Sequence, residues 1–570
     1  MSTGRIKIGT AWRPNVSGVV FLVVVAILLF IVVAPMLRLV LSSFQEARGG
    51  ALTLANYVAA YGTQRHITAL LNTLMMGGGV VVLSTLFAAP LAWACSRTDM
   101  PGRGFIRLAV VGAFVTPPYL AAIAWMLLAG PNAGWINQAW FALTGSDQRL
   151  VNVFSYWGIV FVMSTNLFFF LFVYLTSALD MVSSESEEAA NILGASVLQT
   201  AFRITFPLIL PAFLGGLVVI FLQSIALFGV PALLSPAAKF PVVTTQLLQF
   251  FEYPLRVQVA AAYSVPLVAI TILLFSLQRI ALSRKGFVSV TGKGAERRPI
   301  GLGALRWPVF GYALFICTLS VFLPWLILIQ TAFSRAWGAG LSWANLTTAN
   351  FVVILTELDL ARDAMVRSLH YASVSAFFAI ALGLCIAYIV ARRLVVFSNV
   401  LGILCMVPLV IPGIVLAIGF FATYAPPPLA LYGTATILIL AFITRFLPLA
   451  YTSCSSAIRN IHPEMEDAVR ILGGSRLLAL RKVVAPLLKR PLVGAWILVF
   501  VPAVQELSTA VFLVGPRTRV MSLVLLDFSE QGNLEMVAAA CCLLLLVILV
   551  VVVIGFRVVG RDFMRSAGRD

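Results

Sequence analysis

Two short polar segments, far apart in the chain, repeat the same residue types at the same spacing. The first reads Glu187-Glu188-Ala189-Ala190-Asn191-Ile192-Leu193-Gly194-Ala195-Ser196 and runs on to Arg203-Ile204-Thr205-Phe206-Pro207. The second reads Glu466-Asp467-Ala468-Val469-Arg470-Ile471-Leu472-Gly473-Gly474-Ser475 and runs on to Lys482-Val483-Val484-Ala485-Pro486. Ala189, Ile192 and Leu193, like Ala468, Ile471 and Leu472, recur at helical spacing. Acids in the first turn suit the helix dipole, a glycine permits a sharp turn at the C-terminus, and a proline can open the next helix without losing a hydrogen bond. The chemistry on offer is recognition: a helix–turn–helix with one apolar and one charged edge, shaped for a groove in another protein. A single such helix could equally lie on lipid. Two at equivalent places predict docking.

Other candidate residues sit inside apolar runs. Arg445 and Glu506 fall near the middle of two of them, where a charge costs several kcal/mol unless it is paired or hydrated. Asn166, Gln223 and Gln505 add polarity, and the spacing of the repeated segments sets Asn166 opposite Arg445 and Ala226-Leu227 opposite Gln505-Glu506. Two readings of Arg445 and Glu506 stay open: an ion pair that fixes packing, or the lining of a path through the membrane. Pro117-Pro118 and Pro408/Pro412-Gly413 predict a kink or break in two runs, and Gly77-Gly78-Gly79 predicts close helix packing. Nothing points to catalysis. His66, His370 and His462 are scattered, the seven cysteines include no Cys-x-x-Cys pair, and no phosphate-binding loop occurs, Gly292-Lys293-Gly294 being the nearest fragment. No metal site, cofactor or ATPase activity is expected.

The elements that must position these residues follow from composition. Of 570 residues, 61% are apolar and 11% charged, which excludes a soluble enzyme. Twelve apolar runs are long enough to cross a bilayer, approximately 17–40, 67–95, 105–130, 153–178, 207–234, 257–281, 307–331, 367–391, 398–424, 431–456, 491–514 and 535–557. The first reads as a span, not as a cleaved signal. With the N-terminus in the cytoplasm, inner segments carry 27 Lys and Arg against 11 in outer segments. The positive-inside rule then puts both termini and both polar segments on the cytoplasmic side. The net charge of +18 is an orientation signal and not a nucleic-acid footprint.

The halves echo one another. Leu54-Ala55-Asn56-Tyr57 answers to Thr348-Ala349-Asn350-Phe351, Asn72-Thr73-Leu74 to Arg367-Ser368-Leu369, and Gly194-Ala195-Ser196 to Gly473-Gly474-Ser475. The expectation is an all-α polytopic membrane protein of about twelve helices in two parallel six-helix repeats. Residues 1–282 form the first half, with its polar loop at about 181–207; 283–306 form a basic cytoplasmic linker; 307–570 form the second half, with its loop at about 458–490.

The pattern Glu-Ala-Ala, three residues, Gly, nine residues, Ile-x-Leu-Pro resembles the EAA coupling motif of permease subunits in ABC importers. The first copy keeps the spacing from Glu188 through Gly194 to Ile204 and Pro207, with Phe206 for Leu. The second departs at Asp467, Val469, Val483 and Ala485 but keeps Gly473 and Pro486. Fused in one chain, with Leu227-Phe228-Gly229-Val230-Pro231-Ala232-Leu233-Leu234 and Glu506-Leu507-Ser508-Thr509-Ala510-Val511-Phe512-Leu513 after the motifs, the two halves look most like ferric-iron importer permeases. Permeases for thiamine, polyamines and aminoethylphosphonate share the layout. The resemblance implies that Glu187, Glu188, Ala189, Gly194, Pro207, Glu466, Asp467, Ala468, Gly473 and Pro486 couple to two copies of a separate ATPase. It also implies a periplasmic binding protein on the outer face of a bacterial inner membrane, and a path past Asn166, Gln223, Arg445, Gln505 and Glu506. A secondary transporter is the rival reading. It would place several coupling carboxylates at depth, where this chain offers only Glu506.

Overall fold

The computed structural model describes residues 16–46, 50–146, 148–182, 187, 189–190, 192–284, 299–340 and 342–559. Helices account for its architecture, and the apolar runs of the sequence become the membrane-crossing elements. Ten are single helices: α1 (Gly18–Ser43), α2 (Gln64–Arg97), α5 (Tyr156–Met181), α6 (Ala201–Ala226), α9 (Val257–Gln278), α10 (Gly303–Ala332), α11 (Asp359–Ala391), α14 (Ala435–Arg459), α16 (Leu480–Val504) and α19 (Leu534–Gly555). Two further helix pairs are long and apolar enough together but sharply bent, as a broken span or a re-entrant loop would be. The pair α3 (Arg103–Val115) and α4 (Pro118–Ala129) bends by 98°, and the pair α12 (Ser398–Val410) and α13 (Gly413–Tyr424) by 110°. Both bends fall at the prolines that announced them, because a proline gives no N–H to the turn before it.

Two boundaries differ from the apolar runs. The fifth and eleventh spans begin earlier and stop short, at Ala226 and Val504. The chain then resumes as the short helices α7 (Gly229–Ala238) and α17 (Ala510–Leu513), followed by α8 (Val243–Gln249) and α18 (Met521–Glu530). Hydropathy is continuous across the first break, Leu227-Phe228, whereas the second falls on the polar run Gln505-Glu506-Leu507-Ser508-Thr509. Glu506 consequently lies just past the end of α16 rather than within a span.

Close packing depends on small residues at specific contacts. A Cβ on Gly79 would come 2.5 Å from the Tyr156 hydroxyl, and one on Gly77 2.9 Å from the Phe221 ring, whereas Gly78 faces open space. Gly383 on α11 lets α14 approach in the same way, its Cβ position 3.0 Å from the Tyr451 backbone nitrogen.

Helix α1 leans on the bent pair α12–α13, and α10 on the bent pair α3–α4. On α1 the proline at 35 follows a π-helical turn, Leu29–Val33. Carbonyls loosened there are taken by residues of the C-terminal half: Phe30 O accepts from the Tyr424 hydroxyl, and Ile31 O from Thr444 Oγ1 at 3.3 Å. On α10 the π turn is Thr318–Phe322, before Pro324. One residue further on, Trp325 Nε1 donates to Thr116 Oγ1 at 2.7 Å, at the α3–α4 bend. The described end of the inter-half segment is tied down too. Ile300 N donates to Arg97 O at 2.8 Å, Asp99 N to Ile300 O at 3.1 Å, and Leu302 N to Asp99 Oδ1 at 2.8 Å.

Candidate functional site

Two assemblies gather the polar residues singled out above: a pair of knobs at one end of the bundle and a cavity at its middle. The knobs precede α6 and α16. In the second, α15 (Glu464–Ile471) ends at Gly473, whose φ of +83° is the left-handed value that favours glycine. Gly474 N then closes the helix end on Val469 O at 2.8 Å. The first knob ends in the same way: Gly194 also has φ +83°, and Ala195 N donates to Ala190 O at 3.0 Å. Ser196 and Ser475 cap the following helices by accepting from Gln199 N at 3.3 Å and Leu478 N at 3.2 Å. A π turn next leads into each long helix, Ala201–Thr205 before Pro207 and Leu480–Val484 before Pro486.

The apolar tips stand free. Ile192 and Leu193 are 86% and 88% exposed, Ile471 and Leu472 84% and 87%. Large apolar side chains so far out of contact mark a surface awaiting a partner. Ala189, Ala468, Gly194, Gly473, Pro207 and Pro486 share the exposed side, as does Asp467, which pairs loosely with Arg470 at 3.4 Å. Glu188 lies outside the described residues.

Glu187 and Glu466 turn the other way. Glu466 is 7% exposed and accepts from Arg392 Nε at 2.8 Å and from the Tyr388 hydroxyl at 2.7 Å. Arg392 Nη2 lies 2.7 Å from the same carboxylate and also bonds Ile461 O at 3.0 Å. Glu187 pairs with Arg97 at 3.4 Å and accepts from Thr205 Oγ1 at 2.6 Å. Both acids therefore tie the knob to the last turn of the second helix of their half. Acid position in a first turn cannot distinguish a solvated charge from an anchored one, so the sequence grouped them with the exposed residues. Arg97, Arg392, Tyr388 and Thr205 were missed. The available signal was that Arg97 and Arg392 close equivalent helices.

At the bundle's middle a cavity of about 150 Å³ is lined by Asn166, Gln223, Arg445, Gln505 and Glu506 together, with Tyr119, Phe170 and Leu507 among its apolar walls. The five residues chosen on polarity alone thus converge. The Arg445–Glu506 ion pair does not form among the described residues. Arg445 Nη1 instead donates to Ile411 O at 2.6 Å, a carbonyl at the α12–α13 bend. Gln505 Nε2 donates to Val115 O at 2.7 Å, the matching site at the α3–α4 bend. Two side chains from late in the chain therefore close backbone carbonyls left open at the two bends. Glu506 Oε1 accepts from Thr509 N at 2.9 Å and Thr509 Oγ1 at 3.1 Å, ahead of α17. Gly413 permits this: its Cβ position is 2.9 Å from Thr509 Oγ1 and 3.3 Å from Glu506 Oε1. Among the described residues no group of three His, Cys, Asp or Glu could hold a metal ion.

Residues 379–563 match the family model described as "Binding-protein-dependent transport system inner membrane component". Over 526 residues the chain is 27% identical to a ferric transport system permease protein of Actinobacillus pleuropneumoniae, covering 89% of this chain and 73% of that one. A putative ferric transport system permease protein of Haemophilus influenzae is 28% identical over 517 residues, with coverage of 88% and 78%. A probable ABC transporter permease protein of Sinorhizobium fredii is 25% identical over 515 residues, with 88% of each chain covered.

Proposed function

We propose, from the premise that this chain is a permease of the binding-protein-dependent ABC importers, that it forms the whole membrane path for ferric iron in a single polypeptide. The iron assignment draws on relatives named for ferric transport that match along nearly nine-tenths of the chain. In this reading the two halves arose by duplication and sit in parallel in a bacterial inner membrane, termini and knobs in the cytoplasm. A binding protein delivers cargo to the outer face. Two ATPase copies grip the knobs and hydrolyse ATP, a reaction this chain leaves to them.

The observation that carries the reading is the pair of knobs. Each presents an isoleucine and a leucine more than four-fifths exposed beside a glycine at the same backbone angle. Each is also fixed by an inward ion pair to the helix two spans earlier. A knob gripped from outside and bonded within transmits displacement: ATPase closure moves the tips, and the anchored glutamates carry that movement to α2 and α11. Those helices pack on α5 and α14, which bear Asn166 and Arg445 on the cavity wall. Path opening then follows from rocking of the halves about the broken spans.

The test replaces Ile192 and Ile471 by Glu, singly and together. The reconstituted importer is expected to lose ATPase co-purification and ferric uptake in the double variant while the permease stays monodisperse. Undiminished co-purification would refute docking at the tips.

A further inference from the structure

Arg445 raises a question that coupling does not answer. A guanidinium carries five N–H donors and cannot be discharged in a protein. At membrane depth it demands a counter-charge or water. Here its one hydrogen bond goes to Ile411 O, and no carboxylate lies within 4.0 Å of it among the described residues. It lines a cavity together with the amides of Asn166, Gln223 and Gln505, the last with its Nε2 already given to Val115 O. Gln223 adds an amide whose side chain has no partner among the described residues. Asn166 is 6% exposed and the Tyr119 hydroxyl belongs to a residue 3% exposed; among the described residues neither the Asn166 amide nitrogen nor that hydroxyl has a partner. Glu506 supplies the opposite pole on the same cavity, with one oxygen already held by Thr509.

A bare trivalent cation would meet the guanidinium's repulsion here and find one half-engaged carboxylate. Oxygen anions suit the site better, because a guanidinium fork and neutral amides bind them with charge-assisted hydrogen bonds. We propose that Arg445, with Gln223 beside it, binds an oxyanion carried by the cargo, so that the metal crosses with an oxygen-anion ligand attached and its positive end toward Glu506. The anion site stands on the cavity itself; only the metal's identity rests on the iron reading above.

The test measures equilibrium binding of radiolabelled inorganic phosphate to the full chain in lipid nanodiscs, at constant ionic strength in chloride. Wild type is expected to bind saturably. Arg445→Gln should weaken binding about tenfold or more, the loss of a charge-assisted contact. Arg445→Lys should fall between, since an ammonium lacks the fork. Arg445 also closes the Ile411 carbonyl, so its loss could unfold the bend. Gln223→Leu, which breaks no side-chain hydrogen bond among the described residues, is the independent arm, with about threefold weaker binding expected. Absence of saturable phosphate binding by wild type overturns the proposal, as does wild-type affinity in folded Gln223→Leu together with folded Arg445→Gln. Ferric uptake by the reconstituted importer is scored separately. Uptake without phosphate binding rejects the anion site alone, and phosphate binding without uptake rejects iron alone.

Discussion

The two knobs share a shape and differ in how they are held. In both, a glutamate at the same position turns inward to an arginine that ends the second helix of its half. The remaining partner comes from opposite directions. Glu466 takes a hydroxyl from Tyr388, on the helix that also supplies Arg392, whereas Glu187 takes one from Thr205, on the segment after the knob. The residues at the corresponding positions are Trp93 and Val484, neither of which carries a hydroxyl. The ion pair is thus the shared part of the anchor and the hydroxyl its interchangeable part. The second anchor is also shorter, 2.7 Å against 3.4 Å.

The difference can be broken most forcefully at the ion pairs. Removing one member of a largely buried pair strands the other, so Glu466→Ala should lose about 3 kcal/mol. Glu187→Ala, at the looser anchor, should lose about half as much. Double-mutant cycles with Arg392→Ala and Arg97→Ala, read by thermal unfolding in nanodiscs, test this, and equal coupling energies would erase the contrast. Next come the turn glycines, where the knobs are alike. Gly194→Ala and Gly473→Ala each force a side chain into the left-handed region and should each cost about 1–2 kcal/mol by the same assay. Unequal values would mean that the turns are not the matched feature that their angles make them. Smaller still are the hydroxyls: Tyr388→Phe and Thr205→Val should each lose about 1 kcal/mol. Restoring Glu187's partner from the other side with Trp93→Tyr in a Thr205→Val background should recover part of that loss.

The smallest effect lies where carboxylates far apart in the sequence influence one another. Burial first, then the charges of Asp527 and Glu252, raise the pKa of the Glu530 carboxyl. A raised carboxyl pKa stabilises the fold at low pH, and that contribution fades as pH rises through the raised value. Glu530→Gln should therefore flatten the acid side of a Tm-against-pH profile, and Glu252→Gln should do so more weakly. An unchanged profile in both would sever the link.

Much of this was legible in the chain because the governing signals are local. Hydropathy located the spans, prolines 117–118 and 412 located both bends, and Gly194 and Gly473 located the turns. Polarity in an apolar setting was enough to pick five residues that line one cavity. What stayed hidden depends on partners distant in sequence. Arg445 bonds a backbone carbonyl freed at a bend, and backbone carbonyls have no letter in a sequence. Glu187 and Glu466 look like solvated first-turn acids until Arg97 and Arg392 are brought beside them. The break after Ala226 interrupts a hydrophobic stretch that reads as continuous.

The crossing of each opening helix onto the opposite half has a consequence for biogenesis. When α1 enters the bilayer, the hydroxyls of Tyr424 and Thr444 that will cover its loosened carbonyls have not yet been synthesised. The nascent N-terminal half must hold that stretch in lipid unsealed, or keep it shielded by the insertion machinery, until most of the protein has left the ribosome. Maturation is therefore paced by the last-made third of the polypeptide, whatever order the helices enter the membrane.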